Sequence, residues 1–137
     1  MNVTLRLGAG TRRHLFLVAA FLAGGCGGNV VGPSNQPEVG NNTDTFQWQV
    51  SNLSGVTQTF TYQWSNTGVA ANINQASALT GGSATLTIAD AAGTQVYSGS
   101  LSNNGTFQSS SGTAGSWTVT VVLSNATGTL NFRLQKP

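Results

Sequence analysis

The amino-acid sequence predicts an all-β protein: a single antiparallel β-sandwich of about eight strands behind a signal segment and a flexible linker. Three observations predict it. Apolar and polar residues alternate through most of the chain beyond residue 44. Short clusters of Gly, Asn, Asp and Ser separate the alternating runs. No stretch repeats its apolar residues at the spacing of a helix face.

The elements follow in order. "FQWQV" places Phe46, Trp48 and Val50 on one face, with Gln47 and Gln49 on the other. "FTYQW" does the same with Phe60, Tyr62 and Trp64. "VAANI" contributes Val69, Ala71 and Ile73, and "ATLTIA" sets Leu86 and Ile88 against Thr85 and Thr87. "WTVTVVL" aligns Trp117, Val119, Val121 and Leu123; "LNFRL" aligns Leu130, Phe132 and Leu134. Weaker runs, "TQVYSGSL" and "TFQSS", complete the set. Period-two alternation marks strands with one buried face. The near-copies "SNLSG" (Ser51–Gly55) and "SNATG" (Ser124–Gly128) each lie between two runs and read as hairpin loops, their glycines taking positive φ. "DAAGT" (Asp90–Thr94) and "NNG" (Asn103–Gly105) read as further turns. A jelly-roll-like arrangement suits this series of strands.

Upstream, the chain is organised differently. Residues 1–14 hold Arg6, Arg12 and Arg13 and no acid; "LFLVAAFLA" (Leu15–Ala23) follows, then small residues and the only cysteine, Cys26. A basic start, a short apolar run and small residues are the parts of a secretory signal. The apolar run is shorter than the ~20 residues that span a bilayer. Residues 1–25 therefore read as a signal peptide and 26–44 as a linker. Residues 45–137 read as the β domain. The linker sequence, "GGNVVGPSNQPEVGNNTD", has no period and suits a flexible tether of roughly 20–25 Å.

"LAGGC" (Leu22–Cys26) resembles the lipobox of bacterial lipoproteins. The leucine stands four residues before the cysteine, where the commonest pattern has three, and Ala23 fills that place. The resemblance implies a diacylglycerol thioether on Cys26, cleavage between Gly25 and Cys26, and acylation of the new amino group. Two or three acyl chains anchor stably, where one alone binds marginally. Membrane lipid is thus the first partner expected. Gly27 stands where an aspartate would signal inner-membrane retention, so the resemblance implies an envelope lipoprotein of the outer membrane in a diderm cell. "TRRHLFL" resembles the twin-arginine export motif on Arg12 and Arg13, the route that carries folded proteins. "GSWTVTVVLSNATGTLNFRLQK" is loosely similar to the end of pre-peptidase C-terminal type domains, small secreted β-sandwiches.

Charge and composition exclude much. The formal net charge of +2 arises from the upstream arginines. From Cys26 onward Glu38, Asp44 and Asp90 face only Arg133 and Lys136, a balance of −1. No basic patch remains for nucleic acid. Charged residues make up 6% of the chain, against roughly 25% in an ordinary domain, so Thr, Ser, Asn and Gln must form the surface.

His14, the only histidine, lies in the signal segment. Neither a histidine-dependent triad nor a His/Cys zinc or copper site can be assembled downstream. Asp44 with Asp90 is the sole carboxylate pair available for glycoside hydrolysis, outside the linker's Glu38. Asp90 is also the weak candidate for a metal, as a calcium ligand, though no multi-Asp loop surrounds it. Its turn context favours a bond to its own backbone. No catalytic residue and no cofactor is expected.

Asn52, Asn104 and Asn125 fall in N-x-[ST] triplets and read as turn residues. Trp48, Trp64 and Trp117 share faces with other apolar residues and read as core. Tyr97, beside the inward Val96, is the best exposed aromatic for a ligand. The expectation is a non-catalytic envelope lipoprotein with a structural or binding role toward a glycan or an envelope protein. Its alternatives are a carbohydrate-binding module and a self-associating surface protein built on strand edges without lysine.

Overall fold

The computed structural model describes residues 29–137. The signal segment, its cleavage position at Gly25 and Cys26, and the export pair Arg12 and Arg13 lie outside the described residues. The described chain is all-β, with seven antiparallel strands in one hydrogen-bonded sheet: β1 (Glu38–Asn42), β2 (Thr45–Asn66), β3 (Asn72–Gln75), β4 (Ala78–Ala89), β5 (Gln95–Ser100), β6 (Gly105–Gln108) and β7 (Gly115–Gln135).

Two strands run far longer than the sequence suggests. β2 has 22 residues and β7 has 21, and they pair along nearly their whole length. The expected hairpin loops Ser51–Gly55 and Ser124–Gly128 lie within these strands and face each other across the ladder, with Leu53 opposite Gly128 and Val56 opposite Ala126. The sequence expectation is corrected here. The physical reason is that left-handed Asn and Gly residues serve a β-bulge as well as a turn. Asn52 and Asn125 have φ of 58° and 48°, and Gly55 and Gly128 have φ of 60° and 129°. The register shifts three times between Val50 and Gln58. Each shift moves the inward position along: Val50, Leu53 and Val56 are all buried, three residues apart instead of two.

The bulges bend the β2–β7 ribbon back on itself. A straight strand at ~3.3 Å per residue would hold Phe46 and Tyr62 ~50 Å apart, yet their ring centroids lie 5.5 Å apart. Trp48 and Phe60 meet at 5.6 Å, and the Trp48 Nε1–H donates to the Tyr62 hydroxyl at 3.0 Å. Residues 50–58 of β2 and 123–130 of β7 thus form an elbow. The far ends of both strands come together at the opposite pole.

On one arm the order is β1-β2-β7-β3-β6; on the other, β4 pairs with β7 and β5 with β4. The apolar faces of the arms enclose one core. Trp48, Trp64 and Trp117 are fully buried in it, with Phe46, Phe132, Ile73, Leu86 and Ile88. Every indole N–H has an acceptor: Trp64 donates to the Asn42 carbonyl at 3.1 Å and Trp117 to the Thr113 carbonyl at 2.8 Å. No buried side-chain polar atom among the described residues lacks a partner.

The linker is corrected as well. Residues 29–44 are laid on the sheet and do not form a free tether. Asn29 bridges to Val56, the Val31 N–H donates to the Gln58 Oε1 at 3.0 Å, and β1 pairs with Thr45–Gln49 of β2. All five β1 residues are exposed. It is attached by its backbone and by the Asn41 amide, which donates to the Gln63 carbonyl at 2.8 Å, and buries no side chain, so it shows no hydrophobic alternation. The run Val69–Ile73 is shorter as a strand than expected: Ala71 and Ile73 are buried, but Val69 is 57% exposed and β3 begins at Asn72.

Candidate functional site

The arms differ in what their outer faces carry. On the β2-β7-β4-β5 arm, the ladder aligns Thr61, Thr120, Thr87 and Ser98 in one row and Thr59, Val122, Thr85 and Ser100 in the next. Strands stand ~4.8 Å apart and alternate residues ~6.6 Å apart along each strand. Gln63 and Thr118 extend the array, joined by a hydrogen bond of 3.1 Å. This is a face of hydroxyl and methyl groups without a charged residue. Alternation produces it: the odd or even positions that bury Val119, Val121, Leu86 and Ile88 turn the intervening threonines outward. On the other arm the outward positions are Gln47, Gln49, Asn131 and Arg133, with Asn72 and Asn74 of β3.

The two aspartates are committed to local structure. Asp90 Oδ1 accepts the N–H groups of Ala92 (3.0 Å) and Thr94 (2.8 Å), and Oδ2 accepts that of Thr113 at 2.8 Å. These backbone donors, Thr113 first, hold its carboxyl below the ordinary aspartate value. The same donors point their positive ends at the carboxylate, so the group serves as a clamp between two loops and not as a cation ligand. Among the described residues no cluster of three metal-ligating side chains exists.

Asp44, at φ 65°, closes the β1–β2 turn. It accepts the Thr67 N–H at 2.7 Å and pairs with Lys136 Nζ at 3.0 Å. The Thr67 backbone donor is the main cause of its lowered pKa, with the Thr67 hydroxyl and Lys136 adding to it. Asp44 and Asp90 share no partner, and each carboxylate is filled by its own donors.

Tyr97 does not face outward as the sequence suggests: it stands opposite the buried Ile88 and packs against the core, because a register shift after Ile88 lets the adjacent Val96 turn inward as well. It is not a free platform. It lies over Gly99, where a Cβ would come within 2.6 Å of its hydroxyl. The hydroxyl donates to Gln75 Oε1 at 3.1 Å, and its ring centroid lies 6.2 Å from that of Phe107. Burial pushes its phenol pKa up. Gln75 in turn donates to the Ser100 carbonyl at 3.0 Å and to that of Asn103. The tyrosine thus ties β5 to β3, a role visible only once those strands are neighbours in space. With three tryptophans buried and Tyr97 engaged, no exposed aromatic pair offers sugar stacking among the described residues.

The triplet asparagines also have structural work. Asn52 and Asn125 occupy the left-handed positions of the elbow. Asn104 accepts the Ser77 N–H at 2.7 Å and donates to its carbonyl at 2.9 Å, as a strand neighbour would.

Two depressions mark the surface. One of about 420 Å³ is lined by Gly68, Val69, Ala70, Gln108, Lys136 and Pro137 at the pole opposite the elbow. Another of about 90 Å³ lies between Ser34, Gln36, Glu38, Gln49 and Ser51. The second holds one carboxylate, Glu38, and in the first the cation of Lys136 is held by Asp44 and Thr67. The threonine face is one that sequence alternation foretells but does not assemble, since its rows depend on the strand order. No protein-family model matches the chain, and a search of curated proteins finds no match.

Proposed function

We propose that the chain is a non-catalytic, lipid-anchored protein of the bacterial cell envelope, held by acylated Cys26 and displaying one small all-β domain. The single observation that carries the reading is "LAGGC" after a basic start and a short apolar run. The commitment of Asp44, Asp90 and Tyr97 to structural bonds supports a non-catalytic role. Gly27, in place of a retention aspartate, favours the outer membrane of a diderm cell. The test is fractionation of cells that make the wild type or Cys26→Ser, with fatty-acid labelling. The wild type should sediment with membranes and carry label, and the variant should lose both. An unchanged distribution with no label on the wild type refutes the anchor.

A second reading concerns what the domain meets. The uncharged rows of threonine favour a neutral, hydroxyl-rich partner such as a glycan, held by hydrogen bonds without aromatic stacking. Glycan-array binding that survives Tyr97→Ala but is lost in Thr61→Lys with Thr120→Lys supports it. Binding that survives the lysine pair refutes it.

A further inference from the structure

The place where the chain joins the sheet fixes which part of the domain meets the membrane. Asn29 is seated on the elbow. Its Nδ2 donates to the Ser54 carbonyl at 3.0 Å, and its own carbonyl accepts the Thr57 N–H at 2.8 Å. Only Gly27 and Gly28 separate it from Cys26. Whatever path those two glycines take, three Cα steps of at most ~3.6 Å keep the Cys26 Cα within ~11 Å of that of Asn29. This is about half the reach of the tether the sequence suggests. The acyl chains of Cys26 enter the bilayer, so the elbow is held within headgroup range.

From this we infer that the elbow is a membrane-docking surface, with lipid headgroups as its partner. The inference rests on acylation of Cys26. The chemistry of the surface fits an interfacial location. Asn52, Ser54, Thr57, Ser124 and Asn125 are exposed there, and none is charged. Hydroxyl and amide groups can exchange hydrogen bonds with phosphate and glycerol esters without the cost of stripping a charge of water. Val30, next to Asn29, is 65% exposed and is the most exposed large apolar side chain in the described chain. It stands one residue from the docked asparagine, where the interface accepts an apolar group. The opposite pole, with the Asp44–Lys136 pair and the Asp90–Thr94 turn, then faces away. Strand arms of six to ten residues set it ~20–30 Å farther out at ~3.3 Å per residue.

The test uses the full chain, processed in cells and reconstituted into phosphatidylethanolamine–phosphatidylglycerol vesicles that carry a headgroup quencher. Acylation consumes the thiol of Cys26, so a fluorophore can be placed on Ser54→Cys at the elbow or Ala92→Cys at the far turn. Both positions are exposed. Several-fold stronger quenching at position 54 than at 92 is expected. Adding Val30→Asp should weaken the quenching at 54 while leaving acylation intact. Equal quenching at both positions, or stronger quenching at 92, overturns the docking surface. The intact mass of the mature chain separates the two ideas: an unacylated chain refutes the anchor and the docking together. An acylated chain with even quenching refutes the docking alone.

Discussion

Replacing Gly82 by alanine tests the elbow at its tightest point. Gly82 has φ 68°, and a Cβ there would stand 2.0 Å from the Asn125 carbonyl oxygen, 2.3 Å from its carbon and 2.4 Å from the Ser124 oxygen. All three are backbone atoms of the β7 bulge, so no side chain can swing aside. Gly93 is the matched control, with φ 82° and nothing within 4 Å of the same added atom. Left-handed φ costs an alanine ~1–2 kcal/mol at either site. Overpacking adds ~1–3 kcal/mol at Gly82 alone, as the strand must shift. With a urea m-value of ~1–3 kcal/mol/M for a domain of this size, the unfolding midpoints of the two variants should differ by ~1 M. The assay is urea unfolding of a soluble chain lacking the signal segment, followed by tryptophan fluorescence. Coincident midpoints for Gly82→Ala and Gly93→Ala would refute the close passage of β4 over the bulge, and with it the bent ribbon.

Four other outcomes follow from the same contacts. Asn52→Gly should leave stability within ~0.5 kcal/mol, whereas Asn52→Val should cost ~1–2 kcal/mol, because a β-branched residue resists the left-handed conformation; thermal unfolding of both variants measures it. Tyr62→Phe removes the acceptor of the Trp48 indole N–H and should cost ~1–2 kcal/mol by urea unfolding, with a shift in tryptophan emission. Asp90 has a folded pKa below its ordinary 3.8. Its contribution is therefore full above that value and lost as pH falls through the folded pKa, so stability measured from pH 5 to pH 2 should fall less steeply in Asp90→Asn than in the wild type. The signal-free chain should sediment as a monomer at high concentration, since the edge strands β1, β5 and β6 have only five, six and four residues and the outer edge of β2 is covered by Asn29 and Asn41.

Alternation made most of the strands legible because it reports which residues face a core. Phe46, Trp48, Ile73, Leu86, Val119 and Phe132 are buried as the pattern requires. The elbow was not legible, since Asn and Gly with positive φ mark a reversal and a bulge equally well. Only the long-range pairing of Leu53 with Gly128 distinguishes them. β1 left no pattern, because a strand that buries none of its side chains places no demand on their alternation. At the candidate sites, the backbone clamp of Asp90 was legible from its place before Gly93. The bond from Tyr97 to Gln75 was not, since it joins residues whose proximity depends on the whole order of strands.

The same separation between local pattern and distant pairing decides how the domain meets its surroundings. A flexible tether would let a nearly uncharged domain tumble, because few charges are present for a membrane potential to orient. Docking of Asn29 on the elbow removes that freedom without needing charge. On the proposed anchor at Cys26, the arms would extend from the bilayer with the threonine rows along one of them. A face held in that way would be clear of the headgroups and presented alike by every copy, as a partner met laterally or from outside requires. Introducing charge at that face, as in Thr61→Lys with Thr120→Lys, should thus change what the domain binds while leaving its attachment to the membrane intact, and a joint loss of both would refute the separation of the two surfaces.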